Sequence, residues 1–409
     1  MTKRMHVLGL TDMRVDEMRD PFEELGARGT LVSIDPEDGV GAYVGAFRTA
    51  SECVDRRESD AILAYNGSGL VGVVGALLGR RHDVPFLIRQ NGDVLRQHRE
   101  TAVEQIRGRE WRALAAHLPF ALLSRATFGR ADGFVPVTET LTATIHRQTG
   151  CPTDRIAAAP NPIRAEAYAP PEGERERGDA ADGGDGGPRL VTVTNLDFRG
   201  KYEGVTRLLD GIVPLLRRRS GVEYVIAGDG RYHRKLRTYL DETVASDVRD
   251  RIRAPGFVDD VAELYWSGDV FVYASSIDGY PNVTLEAQAA GLPIVTNPAY
   301  GIAEQIDDGE SGLFVDPSDP DEVADAIGSL LDDPDERARL GRNARDRVVA
   351  ENDPAVVASR LSDAVRTVVA ALPDRAIPNE ESATRPATGP PERGRSRRTD
   401  APGGGTDDR

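Results

Sequence analysis

One alternation, occurring twice, limits what this chain can fold into. In residues 1–170 the short apolar runs MHVLGL, GTLVSI, AILAY, PFLIRQ, GFVPVT and RIAAAPN are separated by longer segments, 100–117 and 138–148 among them, that read as helices. Short runs without polar alternation suit strands buried on both faces, and the intervening helices supply the cover. A second series occupies 189–332. There RLVTVTN, EYVIAG, IRAPGF, VFVYAS, PIVTN and GLFVD alternate with helical stretches at 203–219, 231–245, 259–267, 283–290, 301–307 and 319–332. The expected fold class is α/β, with two doubly wound parallel sheets in series. A ligand belongs in the cleft between them, at the carboxyl ends of the strands.

The two series are joined by PEGERERGDAADGGDGGP (171–188), acidic and Gly-rich without apolar periodicity, which reads as a flexible linker. Helical material continues to about Leu372, and 373–409 is Pro, Gly, Arg and acid, the composition of a disordered tail.

The net charge of −16 argues against a nucleic-acid partner. The only lysines are Lys3, Lys201 and Lys235, so nearly all of the 51 basic residues are Arg. Abundant acids with few lysines suit a salt-rich cytoplasm, where screening removes self-repulsion. A GC-rich codon bias would also exchange Lys for Arg but would not add acids. Cys53 and Cys151 form no framework, consistent with a reducing compartment. No leader is evident, and the longest apolar run, LVGVVGALLG, is too short to span a bilayer, so the chain is expected to be soluble and cytoplasmic. The stretch RALAAHLPFALLSRATFGR (112–130) is apolar and Arg-flanked. It suits either a peripheral contact with the inner face of the membrane or a core helix pair broken at Pro119.

Several motifs carry less than they suggest. Gly67-x-Gly69-x-x-Gly72 has the form of a dinucleotide fingerprint, but it does not follow the first strand, and the next strand does not end on an acid. Close packing of helix on sheet explains its small residues. Asp319-Pro320-Asp321 and Asp333-Pro334-Asp335 precede helical patterns and read as helix caps, not metal ligands. The six His show no ligand spacing, so neither a metal nor another cofactor is expected.

Two segments of the second series carry chemistry. VTVTNLDFRGKYEGV takes a strand through Asn195 into a loop bearing Arg199 and Lys201, which places two cations at the cleft. Arg forks onto phosphate oxygens and Lys acts as a point charge. SSIDGYPNVTLEAQAAGLPIV leaves another strand, and Asn282 suits the N-cap of a helix that Gly291 ends. Such a helix start favours an anion. Glu286, about one turn inside, can accept from two neighbouring hydroxyls, as a ribose diol presents them. Diphosphate, ribose and cations together describe a nucleotide-sugar site. The turn at Phe257-Val258 offers backbone to a nucleobase or serves packing alone.

With VIAGDG, PGFVDD and the run ELYWSGDVFVYASSIDGYPNVTLEAQAAGLPIVTN, the chain resembles the retaining glycosyltransferases of GT-B architecture, family 4 in particular. The resemblance covers 5–370 in organisation and is specific in 189–320. It implies two Rossmann-like domains: an acceptor side in 1–170, a donor domain in 189–350, and a helix in 351–372 crossing back to the first. It implies that Glu286 binds ribose, that Asp278 faces the donor sugar, and that Arg199 and Lys201 neutralise the diphosphate. Gly279 and Tyr280 bring amides near sugar and phosphate; Gly228, Pro281, Asn282 and Val283 complete the nucleotide side. Asp278 is one methylene shorter than the family's Glu, and Asn195 stands where an Arg is common. On the acceptor side GLTDM, with Thr11, replaces a Gly-Gly loop, and Asn91-Gly92 lies where a His is frequent. The implied activity is metal-independent transfer of a sugar from a nucleoside diphosphate sugar to a hydroxyl of a glycan, a lipid-linked sugar or a small molecule, with retention. An epimerase of the same architecture, or a non-catalytic nucleotide- or glycan-binding module, would use the same donor residues.

Overall fold

The computed structural model describes residues 5–12, 15–57, 59–170 and 187–373; most of the expected linker and nearly all of the expected tail lie outside these. The first domain runs β1 (Val7–Thr11), α1 (Val15–Leu25), β2 (Gly29–Ser33), α2 (Val40–Arg57), β3 (Ala61–Tyr65), α3 (Gly69–His82), β4 (Phe86–Gln90), α4 (Val94–Arg107), α5 (Trp111–Phe128), β5 (Gly133–Pro136) and α6 (Glu139–Thr149). The second runs β6 (Arg189–Val193), α7 (Arg199–Arg218), β7 (Glu223–Ala227), α8 (His233–Thr243), α9 (Ser246–Arg249), β8 (Ile252–Gly256), α10 (Val261–Trp266) and β9 (Val270–Tyr273). It continues with α11 (Asn282–Ala289), β10 (Ile294–Thr296), α12 (Ile302–Gln305), β11 (Gly312–Phe314), α13 (Pro320–Asp332), α14 (Pro334–Asn352) and α15 (Pro354–Ala370).

Both sheets are parallel, in the orders β2-β1-β3-β4-β5 and β11-β10-β9-β6-β7-β8. Strands β1, β3, β4, β5 and β9 are buried at every residue, as covered parallel strands must be. In the second sheet the strand order reverses between β6 and β9. The loops leaving those two strands therefore diverge onto opposite faces and leave a crevice at their carboxyl ends.

The helix α15 returns to the first domain: Leu361, Val365 and Val368 pack with Val7, Met18 and Leu87 in one core. Asp319 and Asp333 cap α13 and α14, the first accepting from the backbone N–H groups of Asp321 and Glu322 and the second from that of Glu336, so the two Asp-Pro-Asp strings are helix starts. Gly67 and Gly69 take positive φ, and a Cβ on Gly67 would come 2.6 Å from Ile88, so this pattern is a packed turn.

Three expectations are corrected. RIAAAPN forms no strand; it meets the sheet edge by an isolated bridge between Phe134 and Ile156. Its amides at Ala157 and Ala159 still donate to the β5 carbonyls of Phe134 and Pro136, while the carbonyls of Ala159 and Pro160 turn to the buried Arg89 guanidinium. The helix expected over 100–117 is two helices, because the chain turns at Arg109, whose φ is +58°. Pro119 does not break a helix pair: α5 runs through it, and the proline sits on the exposed side.

Candidate functional site

Three cavities line the cleft. One of about 620 Å³ lies between Glu17, Asn91 and Gly92 of the first domain and Lys201, Asp278 and Glu286 of the second. A second, about 770 Å³, runs along the second sheet past Gly228, Phe257 and Val258. Asn195, Asp197, Val283 and Glu286 border both. A third, about 660 Å³, lies between α4, α5 and the start of α7.

Lys201 and Asp278 lie in the segments that follow β6 and β9, the two strands that flank the reversal. Lys201 sits in the first turn of α7, not in a loop, and its Nζ lies 3.1 Å from Asp278 Oδ1. The other carboxylate oxygen accepts from the Tyr273 hydroxyl. Burial by itself would raise the Asp278 pKa. The Lys201 ammonium and the hydroxyls of Tyr273 and Ser275 outweigh it, so the carboxyl is held below the ordinary Asp value. Asp278 is a fixed anion with a fixed counterion.

Glu286, one turn into α11, accepts from the fully buried Tyr265 hydroxyl at 2.8 Å. That contact orients the carboxylate at the junction of the two cavities. The Tyr265 hydroxyl is a poor acid: burial, then the Glu286 charge, push its pKa well above the ordinary value. Tyr168, from the segment that ends the first domain, is shifted the same way for the same two reasons.

The domains touch across the 620 Å³ cavity. Gly92 and Asp278 form an isolated antiparallel bridge. A Cβ on Gly279 would come 2.7 Å from the Asn91 carbonyl oxygen and 2.9 Å from Gly92 Cα, so this approach requires glycine. The Asn282 side chain does not cap α11; Pro281 holds the cap position. Asn282 instead donates to Glu17 Oε1 at 2.7 Å and accepts from Asn161 at 3.1 Å, because the facing domain supplies nearer partners than its own helix. Asn91 donates to Glu17 and accepts from Asn161.

The structure thus gathers Lys201, Asp278, Gly279, Tyr280, Pro281, Asn282, Val283, Glu286, Asn195, Asn91 and Gly92 around one cavity, and Gly228, Phe257 and Val258 around the adjoining one. Only part of Tyr280 serves the cavity, since its hydroxyl accepts from Asn352 behind it, and burial pushes its pKa up to about 12. Two residues do not join. Arg199, at the solvent end of the first turn of α7, pairs with Glu203 at 2.6 Å and lines the third cavity. Thr11 is buried at the end of β1 and lines none of the three. Sequence reasoning missed Glu17, Tyr265 and Asp197. Asp197 stands beside Asn195 in the same loop, a signal that could have found it. Glu17 and Tyr265 had none, because their roles depend on a facing domain and a neighbouring helix.

Residues 187–333 match the family model described as Glycosyl transferases group 1. The chain is 26% identical over 291 residues to a putative glycosyltransferase of a virus isolated in Victoria, Australia, covering 70% of this chain and 79% of that one. It is 24% identical over 310 residues to the alpha-D-kanosaminyltransferase of Streptomyces kanamyceticus, covering 74% and 76%. In fold it is similar to Anabaena Alr3699/HepE, solved with UDP and glucose, at TM-score 0.66 and 16% identity over 89% of this chain and 100% of that one. It is similar also to sucrose-phosphate synthase of Thermosynechococcus elongatus, at TM-score 0.67 and 18% identity over 90% and 100%.

Proposed function

We propose that this chain, whose architecture is GT-B, is a glycosyltransferase that moves a sugar from a nucleoside diphosphate sugar to an acceptor hydroxyl with retention of configuration and without a metal ion. The observation that carries this reading is the position of Glu286. Its carboxylate, held by Tyr265, borders both the cavity beside Phe257 and Val258 and the cavity holding Lys201 and Asp278. A nucleoside in the first cavity meets Glu286 through its ribose diol. The diphosphate then passes the amino end of α11, whose unpaired N–H groups favour anions. The sugar enters the cavity where Asp278 and the loop of Asn91 and Gly92 face each other.

The barrier is departure of the diphosphate, and Lys201 and the helix terminus stabilise the growing charge without reorganising. Asp278 is paired with Lys201 and bonded to Tyr273, which suits it to hold sugar hydroxyls and not to attack carbon. Front-face attack by the acceptor, its proton passing to the leaving phosphate, follows. Contact between the domains over the cavity excludes water and so limits donor hydrolysis. The acceptor enters from the first-domain side, near Asn91 and Gly92.

Calorimetry with a panel of nucleoside diphosphates, then mass spectrometry of products from matching donors and alcohol acceptors with and without EDTA, tests the reading. Proton NMR of the product reports the anomer. Donor conversion without an acceptor would make the chain an epimerase, and nucleotide binding without turnover a binding module.

A further inference from the structure

Helix α5 carries an apolar face that the fold leaves in solvent. Trp111, Leu118 and Leu122 are 60%, 49% and 59% exposed. With Ala115 they recur at i, i+4, i+7 and i+11 and so form one line along the helix. The opposite side does the packing: Ser124, Thr127 and Phe128 are buried, and Phe120 turns to the His98 ring, with centroids 5.5 Å apart. Charge on this helix runs against the rest of the molecule. The chain carries a net −16, yet no Asp or Glu occurs from Trp111 to Arg130, and exposed Arg112 and Arg125 flank the apolar line.

We infer that this face of α5 seats the protein on an anionic lipid surface. Trp111, Leu118 and Leu122 enter the acyl boundary while Arg112 and Arg125 meet headgroup phosphates. Among the described residues no helix is long and apolar enough to cross a membrane, so the helix lies on the surface and does not span it. A second copy is a poorer occupant, because pairing α5 with itself brings exposed Arg112 and Arg125 of both copies together with Glu110 as the one exposed acid at the start of each helix. The chain's own longer segments outside the described residues, 171–186 and 374–409, contain Ile377 as their single large apolar side chain and cannot cover the line. Docking needs neither sugar donor nor acceptor, so it is independent of the activity proposed above.

The full chain is mixed with vesicles of phosphatidylcholine alone or with phosphatidylglycerol, over a range of salt, and floated. The expected result is co-flotation with the anionic vesicles that weakens as salt rises. Leu118→Gln with Leu122→Gln should lower partitioning about tenfold or more. Arg112→Gln with Arg125→Gln should remove the preference for phosphatidylglycerol. Brominated lipid should quench the fluorescence of the wild-type chain, and Trp111→Phe should abolish that quenching, so the test does not depend on how the glutamine variants fold. Absence of flotation and quenching with both vesicles overturns the proposal. So does flotation indifferent to the α5 substitutions, or a dimer in sedimentation that the leucine variants dissolve without any vesicle binding.

Discussion

Lys201 and Asp278 form an ion pair at 3.1 Å with side chains only 10% and 16% exposed, and it joins the first turn of α7, which follows β6, to the loop leaving β9, where the strand order reverses. Removing one partner leaves the other charge buried. Lys201→Ala should therefore destabilise the fold by about 3–5 kcal/mol and lower turnover by orders of magnitude, whereas Asp278→Asn, which keeps a hydrogen-bonding side chain, should fold better than the alanine variant. Near-normal turnover of a folded Lys201→Ala protein would remove Lys201 from the phosphate role.

The same pair sets an acid response. Because the Asp278 pKa is lowered in the folded state, its contribution to stability is full above the ordinary Asp value and is lost as pH falls through the folded value. The wild type should lose melting temperature below about pH 4 with a component missing from Asp278→Asn. Parallel acid melts of the two proteins would contradict this.

Glu286→Gln keeps an acceptor for Tyr265 but weakens the hydrogen bonds to a ribose diol. Charge-assisted bonds contribute roughly 1.5–3 kcal/mol, so nucleotide affinity should fall about tenfold or more. The penalty should shrink for 2′-deoxynucleotides. Calorimetry that finds the same penalty for ribo and deoxy forms would place the ribose elsewhere.

Glu17 accepts from Asn91 and Asn282, which belong to different domains. Glu17→Ala leaves these half-buried amides, and the buried Tyr65 hydroxyl that also donates to Glu17, without their carboxylate and should cost about 2–4 kcal/mol, read as a lower denaturation midpoint. Asn282→Ala removes only the interdomain arm and should cost less. Equal costs would mean that the contact across the cleft dominates.

The Glu304 carboxylate accepts from the backbone N–H groups of Glu139 and Thr140, at 2.9 and 2.8 Å, so a residue of the second domain caps α6 of the first. Glu304→Ala should cost about 1 kcal/mol and raise hydrogen exchange at 139–142 without touching β6 or β9. Exchange unchanged at the start of α6 would show that the contact is not kept in solution.

The strands of both sheets, nearly to the residue, were legible in the sequence, because a covered parallel strand is an unbroken apolar run and needs no distant information. RIAAAPN passed for one on the same grounds. Its amides do reach β5, but the Arg89 guanidinium, fully buried and needing acceptors, takes the carbonyls of Ala159 and Pro160, so no continuous ladder forms. Lys201 and Glu286 were legible because strand ends and helix starts are local features. Arg199 is expected beside Lys201 on the same local grounds, but a helix turn points residues two apart in different directions, so Arg199 faces the third cavity while Lys201 turns to Asp278.

By itself the sequence determined two α/β layers, their order and the strand ends that face a cleft, since these follow from periodicity and from the chemistry of turns and caps. Only the tertiary structure decided which side chains meet there. Glu17 became a partner of Asn282, Asp278 acquired Lys201 and Tyr273, and Glu286 was aimed by Tyr265. The Glu17–Asn282 contact exists only once the two domains have packed, and those of Asp278 with Lys201 and of Glu286 with Tyr265 only once the second sheet and its helices have assembled, because the strength of each comes from burial.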